Sequence, residues 1–268
     1  FYVQVAWSGE LAGRAIDQWT REIPVIAERG AITDRNGELL AGNATKFSVF
    51  ARSNAVTDAE DAAQKLSAAL NIPYETVLKK LTGKRASEVT VAKKTDKQAV
   101  EKLAELSLNG VYFSRDNDRT YPKSDFLSQV IGFTSSDNTG AAGIEKYYDS
   151  YLRGKDGEIL YETDLVGLRL NGAAAAYKPA ENGYNLRLTI DAGIQTAAET
   201  ALGRVAQQYS PKSAECIVLD PDTFEILAMA CTPSYDLNNV PRDDIPLLNA
   251  LSRNRIVCDI YEPGSTFK

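Results

Sequence analysis

Y-E-P-G-S-T-F-K, residues 261–268, sets how the rest of the chain is read. Ser265 and Lys268 form an S-x-x-K pair. In a helix three residues make nearly one turn, so both side chains would lie on one face. A serine hydroxyl can hand its proton to a neutral lysine amine. Burial and nearby positive charge lower a lysine pKa enough to make it neutral. Pro263 and Gly264 suit a sharp entry turn, and a helix N-terminus favours developing negative charge. S-x-x-K by itself is a loose pattern, expected about once by chance in a chain this long. Composition adds an independent argument. The sequence contains no histidine, which excludes a Ser-His-Asp triad or a Cys-His dyad and makes a zinc site a poor fit. A serine enzyme of this composition needs lysine as its base.

The remaining composition is that of a globular protein. Apolar residues make up 44% and charged residues 25% of 268 positions, enough for one large domain or two ordinary ones. A net charge of −6 gives no support to nucleic-acid binding. No run of about 18 apolar residues spans a bilayer. The opening F-Y-V-Q-V-A-W reads equally as the remnant of a removed anchor helix or as an ordinary strand. Cys216, Cys231 and Cys258 are three in number and at no metal spacing, so they read as small buried apolar residues, with one disulfide possible but not indicated.

Over seven consecutive positions, E-P-G-S-T-F-K resembles the active-site segment of penicillin-binding proteins. S-T-F-K alone is also similar to class D β-lactamases and their sensor relatives. A second stretch separates these. R-G-A-I-T-D-R-N-G-E-L-L-A, residues 29–41, reads on its residues as a tight hairpin. Asn36-Gly37 signals a type I′ turn between apolar segments, and Arg29, Asp34 and Arg35 read as a solvated turn. The string resembles the first motif of the non-catalytic module of class B penicillin-binding proteins. The resemblance implies that Arg29, Gly30, Asp34, Arg35 and Gly37 form a structural motif at the junction with the transpeptidase domain, held by interdomain ion pairs and hydrogen bonds. Glu145, in G-I-E-K-Y-Y-D-S-Y-L-R-G from 143 to 154, reads on its own as a surface carboxylate. The resemblance gives it an interdomain contact instead.

Between these landmarks the periodicities predict local structure. Leu11 to Thr20 reads as a helix ended by Pro24. Lys46–Ala51 alternates as a strand. Asp58–Leu70 reads as a helix capped by Thr57, with Ala62, Leu66, Ala69 and Leu70 on one face. Pro73–Leu81 is a second helix, Val89–Ala92 a strand, and Asp96–Leu106 a helix with Ala99, Leu103 and Leu106 inward. With the strand after Asn109-Gly110, this makes a small α+β subdomain inserted at about 46–115. R-D-N-D-R at 115–119 lacks the glycine and closing glutamate of a calcium loop. R-T-Y-P at 119–122 reads as a turn leading to a strand or buried helix that ends at Gly132. Residues 143–154 read as helical with Ile144, Tyr147, Tyr148, Tyr151 and Leu152 on the apolar side. The small, flexible stretch from Gly172 to Gly183 marks a domain boundary. Beyond it come a strand (184–190), a helix capped by Asp191 with Ile194, Ala198, Ala201, Leu202 and Val205 as its stripe, and a hairpin about Asp220-Pro221-Asp222.

The expected fold class is α+β. Residues 1–178 form an elongated non-catalytic pedestal with the inserted head, and 179–268 open a penicillin-binding transpeptidase domain. The resemblance implies a membrane-anchored peptidoglycan D,D-transpeptidase on the extracytoplasmic face of a bacterial cell membrane. Ser265 would attack the penultimate D-Ala carbonyl of a stem peptide with Lys268 as base, and β-lactams would acylate the same serine. No cofactor or metal is implied. A membrane cell-wall polymerase is the implied partner of the N-terminal module. The family's S-x-N and K-T-G elements follow S-x-x-K and lie beyond Lys268, so the 268-residue polypeptide alone is expected to be inactive. The alternatives are a non-enzymatic scaffold binding a cell-wall polymerase or division partner, and a class D-like β-lactamase or β-lactam sensor.

Overall fold

The computed structural model describes residues 20–83, 88–162, 176–260 and 262–267. The expected N-terminal strand and nearly all of the expected helix from Leu11 lie outside them. The chain divides into two compact units. One comprises residues up to Gly30 together with Ser150–Tyr184, and the other comprises Ala31–Asp149 with Asn185 onward.

In the first unit, β1 (Thr20–Val25) runs antiparallel to β6 (Gly157–Glu162), which pairs with β7 (Ala176–Lys178). Pro24 therefore sits within a strand, opposite Glu158. The loop after β1 is tied to the unit by backbone N–H groups. Ala27 donates to Asp156 Oδ1 at 2.7 Å, Glu28 to Asn182 Oδ1 at 3.0 Å, and Gly30 to the Leu152 carbonyl at 2.7 Å.

The second unit carries the inserted head. The strands β3 (Leu39–Ala51), β4 (Val89–Thr95) and β5 (Val111–Thr120) form an antiparallel sheet with β3 in the middle. Helices α1 (Ala59–Leu70), α2 (Tyr74–Thr82) and α3 (Lys97–Glu105) close one face. The alternate strand residues Val49, Ala51 and Val91 meet Leu66, Val77, Leu81 and Leu103 in a closed core. Each such fully buried aliphatic side chain contributes about 1.5–3 kcal/mol. Asp58 rather than Thr57 caps α1, its carboxylate accepting from the Glu60 and Asp61 N–H groups at 3.0 Å each. In α3 it is Val100 that joins Leu103 in the interior, and Leu106 is exposed.

Charged R-D-N-D-R is strand, because its polar side chains find cross-strand partners. Ser48 Oγ donates to Asp116 at 2.6 Å, and Lys94 Nζ reaches Asp118 at 2.6 Å. The strand ends at Thr120, and α4 (Ser128–Ile131) follows. Residues 143–152 form two short helices, α5 (Gly143–Tyr147) and α6 (Asp149–Leu152). Of the expected apolar side, Leu152 is fully buried and Ile144 and Tyr148 are half-buried, but Tyr147 and Tyr151 are exposed and Glu145 is buried in their place.

Downstream, β2 (Ile32–Thr33) pairs with β3 and, in parallel, with β8 (Leu186–Arg187). Only two residues of the expected 184–190 strand are β. The helix α7 (Ala192–Tyr209) packs on the hairpin of β9 (Ala214–Leu219) and β10 (Ile226–Thr232). Ala198 and Leu202 meet Ala228 and Ala230. Asp191 caps α7 as expected, accepting from the Gly193 and Ile194 N–H groups. Ala201 and Val205 are exposed, and the side chain that completes the stripe is the fully buried Gln195. Its amide pairs with Met229 as a strand residue would. Nε2 donates to the Met229 carbonyl at 3.2 Å, and Oε1 accepts from the Met229 N–H at 2.7 Å.

Candidate active site

The segment that carries Ser265 is approached through two helices. Asp244 caps α8 (Ile245–Ser252) by accepting from the Leu247 N–H at 2.9 Å, and Pro246 in the first turn lacks the N–H that would be orphaned there. Asn254 precedes the short α9 (Arg255–Cys258). Arg253 then clamps the turn: Nε donates to Asp259 Oδ1 at 2.7 Å and Nη2 to the Cys258 carbonyl at 3.2 Å, while Arg255 Nη1 reaches Asp259 Oδ2 at 3.4 Å. The Arg253 hydrogen bond foremost, followed by the charges of both arginines, holds the Asp259 carboxyl below its ordinary range. Ser265 follows on a 3-10 turn, Gly264–Phe267, and is exposed. Gly264 has φ +54, and a Cβ there would meet nothing within 4 Å, so glycine serves backbone conformation and not space. Lys268 lies outside the described residues. The sequence led to a helix start at Ser265, and the described turn is the tighter 3-10 form, in which residues three apart eclipse.

The cysteines make no disulfide. Cys216 and Cys231 are half-buried, as small apolar residues can be, but Cys258 is exposed. Burial pushes the Cys231 thiol up.

The turn at residues 34–38 has a defined geometry. Asp34 is fully buried at the hairpin turn. Its Oδ1 accepts from the Asn36 and Glu38 N–H groups at 2.8 Å each, and its Oδ2 accepts from the Ala192 N–H at 3.2 Å. Burial alone would raise this carboxyl. The backbone donors of Glu38, Ala192 and Asn36 outweigh burial and hold it below its ordinary value. Ala192 opens α7, so the carboxylate also complements the positive end of that helix. Asn36 Nδ2 donates to Asp191 Oδ2 at 3.2 Å. Arg35 donates its N–H to the Ile190 carbonyl at 2.9 Å and its guanidinium to Glu225 at 3.3 Å. The hairpin turn thus grips the first turn of α7 and the β9–β10 hairpin. It is not type I′: the Gly37 N–H bonds to the Asp34 carbonyl at 3.2 Å, no positive φ occurs at Arg35 or Asn36, and Gly37 follows at φ +91. Two short bonds from Asp34 to the turn's own N–H groups favour this form.

Arg29 and Gly30 are buried in the first unit. Glu145 is fully buried in the second, and Arg119 Nε donates to it at 2.6 Å, with Arg119 Nη1 on Asn43 Oδ1 at 3.2 Å. The sequence places Arg119 at the end of a charged stretch and the start of a turn, with no partner indicated. Its position opposite Asn43 on a continuous strand is the signal that periodicity missed.

Three further residues carry no signal in the sequence, because a single amide, carboxylate or guanidinium makes no motif. Gln129 Nε2 joins the Pro233 carbonyl at 2.8 Å and the Leu251 carbonyl at 3.1 Å, tying α4 to the last turn of α8. Glu199 accepts from the Leu127 N–H at 2.9 Å and from Gln195 Nε2 at 2.8 Å, and burial raises its carboxyl. Arg242 donates to the Thr134 carbonyl at 2.6 Å and lies over the Phe133 ring. Residues 127–134 are therefore bonded at several points to the chain that precedes Ser265.

Comparison with known proteins gives consistent matches. Residues 24–188 match the family described as "Penicillin-binding Protein dimerisation domain", and residues 215–268 match "Penicillin binding protein transpeptidase domain". The chain is 36% identical, over 269 residues, to Stage V sporulation protein D of Bacillus subtilis, covering 100% of this chain and 41% of that protein. It is 32% identical to the probable peptidoglycan D,D-transpeptidase PenA of Neisseria meningitidis, covering 100% and 46%. The chain therefore spans less than half the length of either relative. Among solved structures, penicillin-binding protein 2X of Streptococcus thermophilus superposes with a TM-score of 0.61 at 27% identity, covering 82% of this chain and 36% of that one.

Proposed function

The chain belongs to the class B penicillin-binding proteins, and from that premise we propose that it is part of a peptidoglycan D,D-transpeptidase in which Ser265 is the nucleophile and Lys268 its base. The observation that carries this reading is an exposed serine on a tight turn inside E-P-G-S-T-F-K, within the span that matches the transpeptidase domain.

In the mechanism, Lys268 takes the Ser265 proton and Oγ attacks the penultimate D-Ala carbonyl of a stem peptide. The terminal D-Ala leaves with its amine protonated, and the Ser265 ester remains. The amine of a neighbouring stem peptide attacks that ester, re-forming an amide and returning the proton to Oγ. The Ser265 backbone N–H supplies one oxyanion donor, and a later strand would supply the other. A β-lactam follows the first half and stays as the acyl-enzyme.

On this reading residues 1–178 are the non-catalytic module, 179–268 open the catalytic domain, and Arg29, Gly30, Asp34, Arg35, Gly37 and Glu145 are structural at their junction. The head, a closed core without catalytic groups, suits contact with a membrane cell-wall polymerase on the extracytoplasmic side. No helix among the described residues is long and apolar enough to cross a membrane.

The test is intact mass after incubation with excess benzylpenicillin, on protein carrying a whole transpeptidase domain. One adduct, lost in Ser265→Ala and formed at least about a hundredfold more slowly in Lys268→Ala, is expected for a base-assisted nucleophile. A persisting adduct in Ser265→Ala would refute the assignment, and rapid turnover of the acyl-enzyme would favour a β-lactamase. A pure scaffold would take no label.

A further inference from the structure

A groove of about 610 Å³ lies wholly within the second unit, between the root of the head sheet and the loops at 134–136 and 237–242. None of the residues lining it belongs to the S-x-x-K segment. Lys46, Lys94, Arg119 and Arg242 contribute positive charge to its wall, and Asp118 is the one acidic residue there, in a chain whose net charge is −6. Arg119 is neutralised by Glu145. The lysines pair with Asp96 at 2.5 Å and Asp118 at 2.6 Å, and these pairs are part-exposed, so an incoming anion can exchange with them at small cost.

The backbone is deformed to place one of these cations. Phe47 faces Thr95 and Val49 faces Ala92, so two steps along β3 oppose three along β4. The extra residue makes a bulge, and Lys94 within it adopts φ +55, a left-handed conformation uncommon for lysine. Bulges re-aim side chains, and strain of this kind gathers at functional positions. Here it brings the Lys94 ammonium into the groove, whereas its neighbour Lys93 pairs with Asp137 and does not line it.

We propose that this groove binds a short acidic peptide, with Lys46, Lys94 and Arg242 engaging carboxylates. The Asp118 carboxylate and the hydroxyls of Thr134, Ser135 and Ser136 supply acceptors for peptide N–H groups. A phosphodiester chain offers no such donors. The volume falls within the range of ligand-binding clefts.

Isothermal titration of the full 268-residue chain with tetraglutamate tests this, with tetraglutamine as the neutral peptide and tripolyphosphate as the non-peptide anion. Lys94→Asn removes the charge while asparagine tolerates the left-handed backbone. Tetraglutamate is expected to bind and tetraglutamine not. Lys94→Asn and, independently, Lys46→Gln should each weaken binding about five- to tenfold, the scale of one charge-assisted contact, while Lys93→Gln leaves it unchanged. Three results overturn the proposal: no binding of tetraglutamate, an equal loss in Lys93→Gln, or tripolyphosphate binding tighter than tetraglutamate.

Discussion

Replacing Glu145 by glutamine probes the most completely buried ion pair described. The Arg119 and Glu145 side chains are 2% and 0% exposed and meet at 2.6 Å. Glutamine keeps the shape and one acceptor for Arg119 Nε but removes the charge that compensates the guanidinium. Breaking a buried pair from one side costs about 3–5 kcal/mol. The retained acceptor puts Glu145→Gln at the lower end, about 3 kcal/mol. With a urea m-value of about 2 kcal/mol/M, the unfolding midpoint should fall by about 1.5 M at unchanged slope. The double variant Arg119→Met/Glu145→Leu removes both charges of this pair, so it should recover at least half of that loss. A shift under about 0.3 M, or a double variant as unstable as the sum of the singles, would refute the view that charge compensation holds this site.

The other predictions concern the groups around α7. Asp34→Ala should cost about 3 kcal/mol, since three backbone N–H groups lose a charged acceptor, with urea unfolding as the readout. Its folded carboxyl titrates below the ordinary value of 3.8, so the stabilisation is complete above that pH and is lost as pH falls through the lower folded value. Asp34→Asn should accordingly flatten the acid limb of the stability curve. Glu199 is opposite in sign: its folded carboxyl titrates above 4.5, so stability declines as pH rises from there through the folded value. Glu199→Gln should therefore unfold at higher urea than wild type at pH 7 and equally below pH 4.5. Gln195→Leu strands the Met229 N–H and carbonyl, costing about 2–4 kcal/mol, and should accelerate hydrogen exchange at the Met229 amide.

What the sequence made legible was whatever depends on apolar spacing or turn chemistry. The three head helices and the hairpin about Asp220 are found where Leu66, Leu103 and the D-P-D turn indicated, and Asp220 accepts from the Asp222 and Thr223 N–H groups as such turns do. The failures share a cause. At 115–119 and at Glu145 polar and charged side chains are satisfied by polar or charged partners elsewhere in the chain, which hydrophobic periodicity cannot register. Tyr147 and Tyr151 misled in the same way, because an aromatic ring counts as apolar in a pattern but carries a hydroxyl that water accepts. Near the S-x-x-K pair, the motif singled out Ser265. The backbone groups that the amides of Gln129 and Gln195 bond lie more than 30 residues away, so nothing local announces those contacts.

The ten paired positions between β3 and β5, from Gly42 opposite Thr120 to Ala51 opposite Val111, have a consequence for modularity. The head leaves and re-enters the body through neighbouring strands, so its two chain ends are held one ladder spacing apart whatever lies between them. Closing so short a gap costs little more for a long insert than for a short one. The stalk is therefore a socket. A two-residue turn joining Phe47 to its partner Arg115 would excise the head without re-routing the chain, and a foreign domain with adjacent termini could take its place.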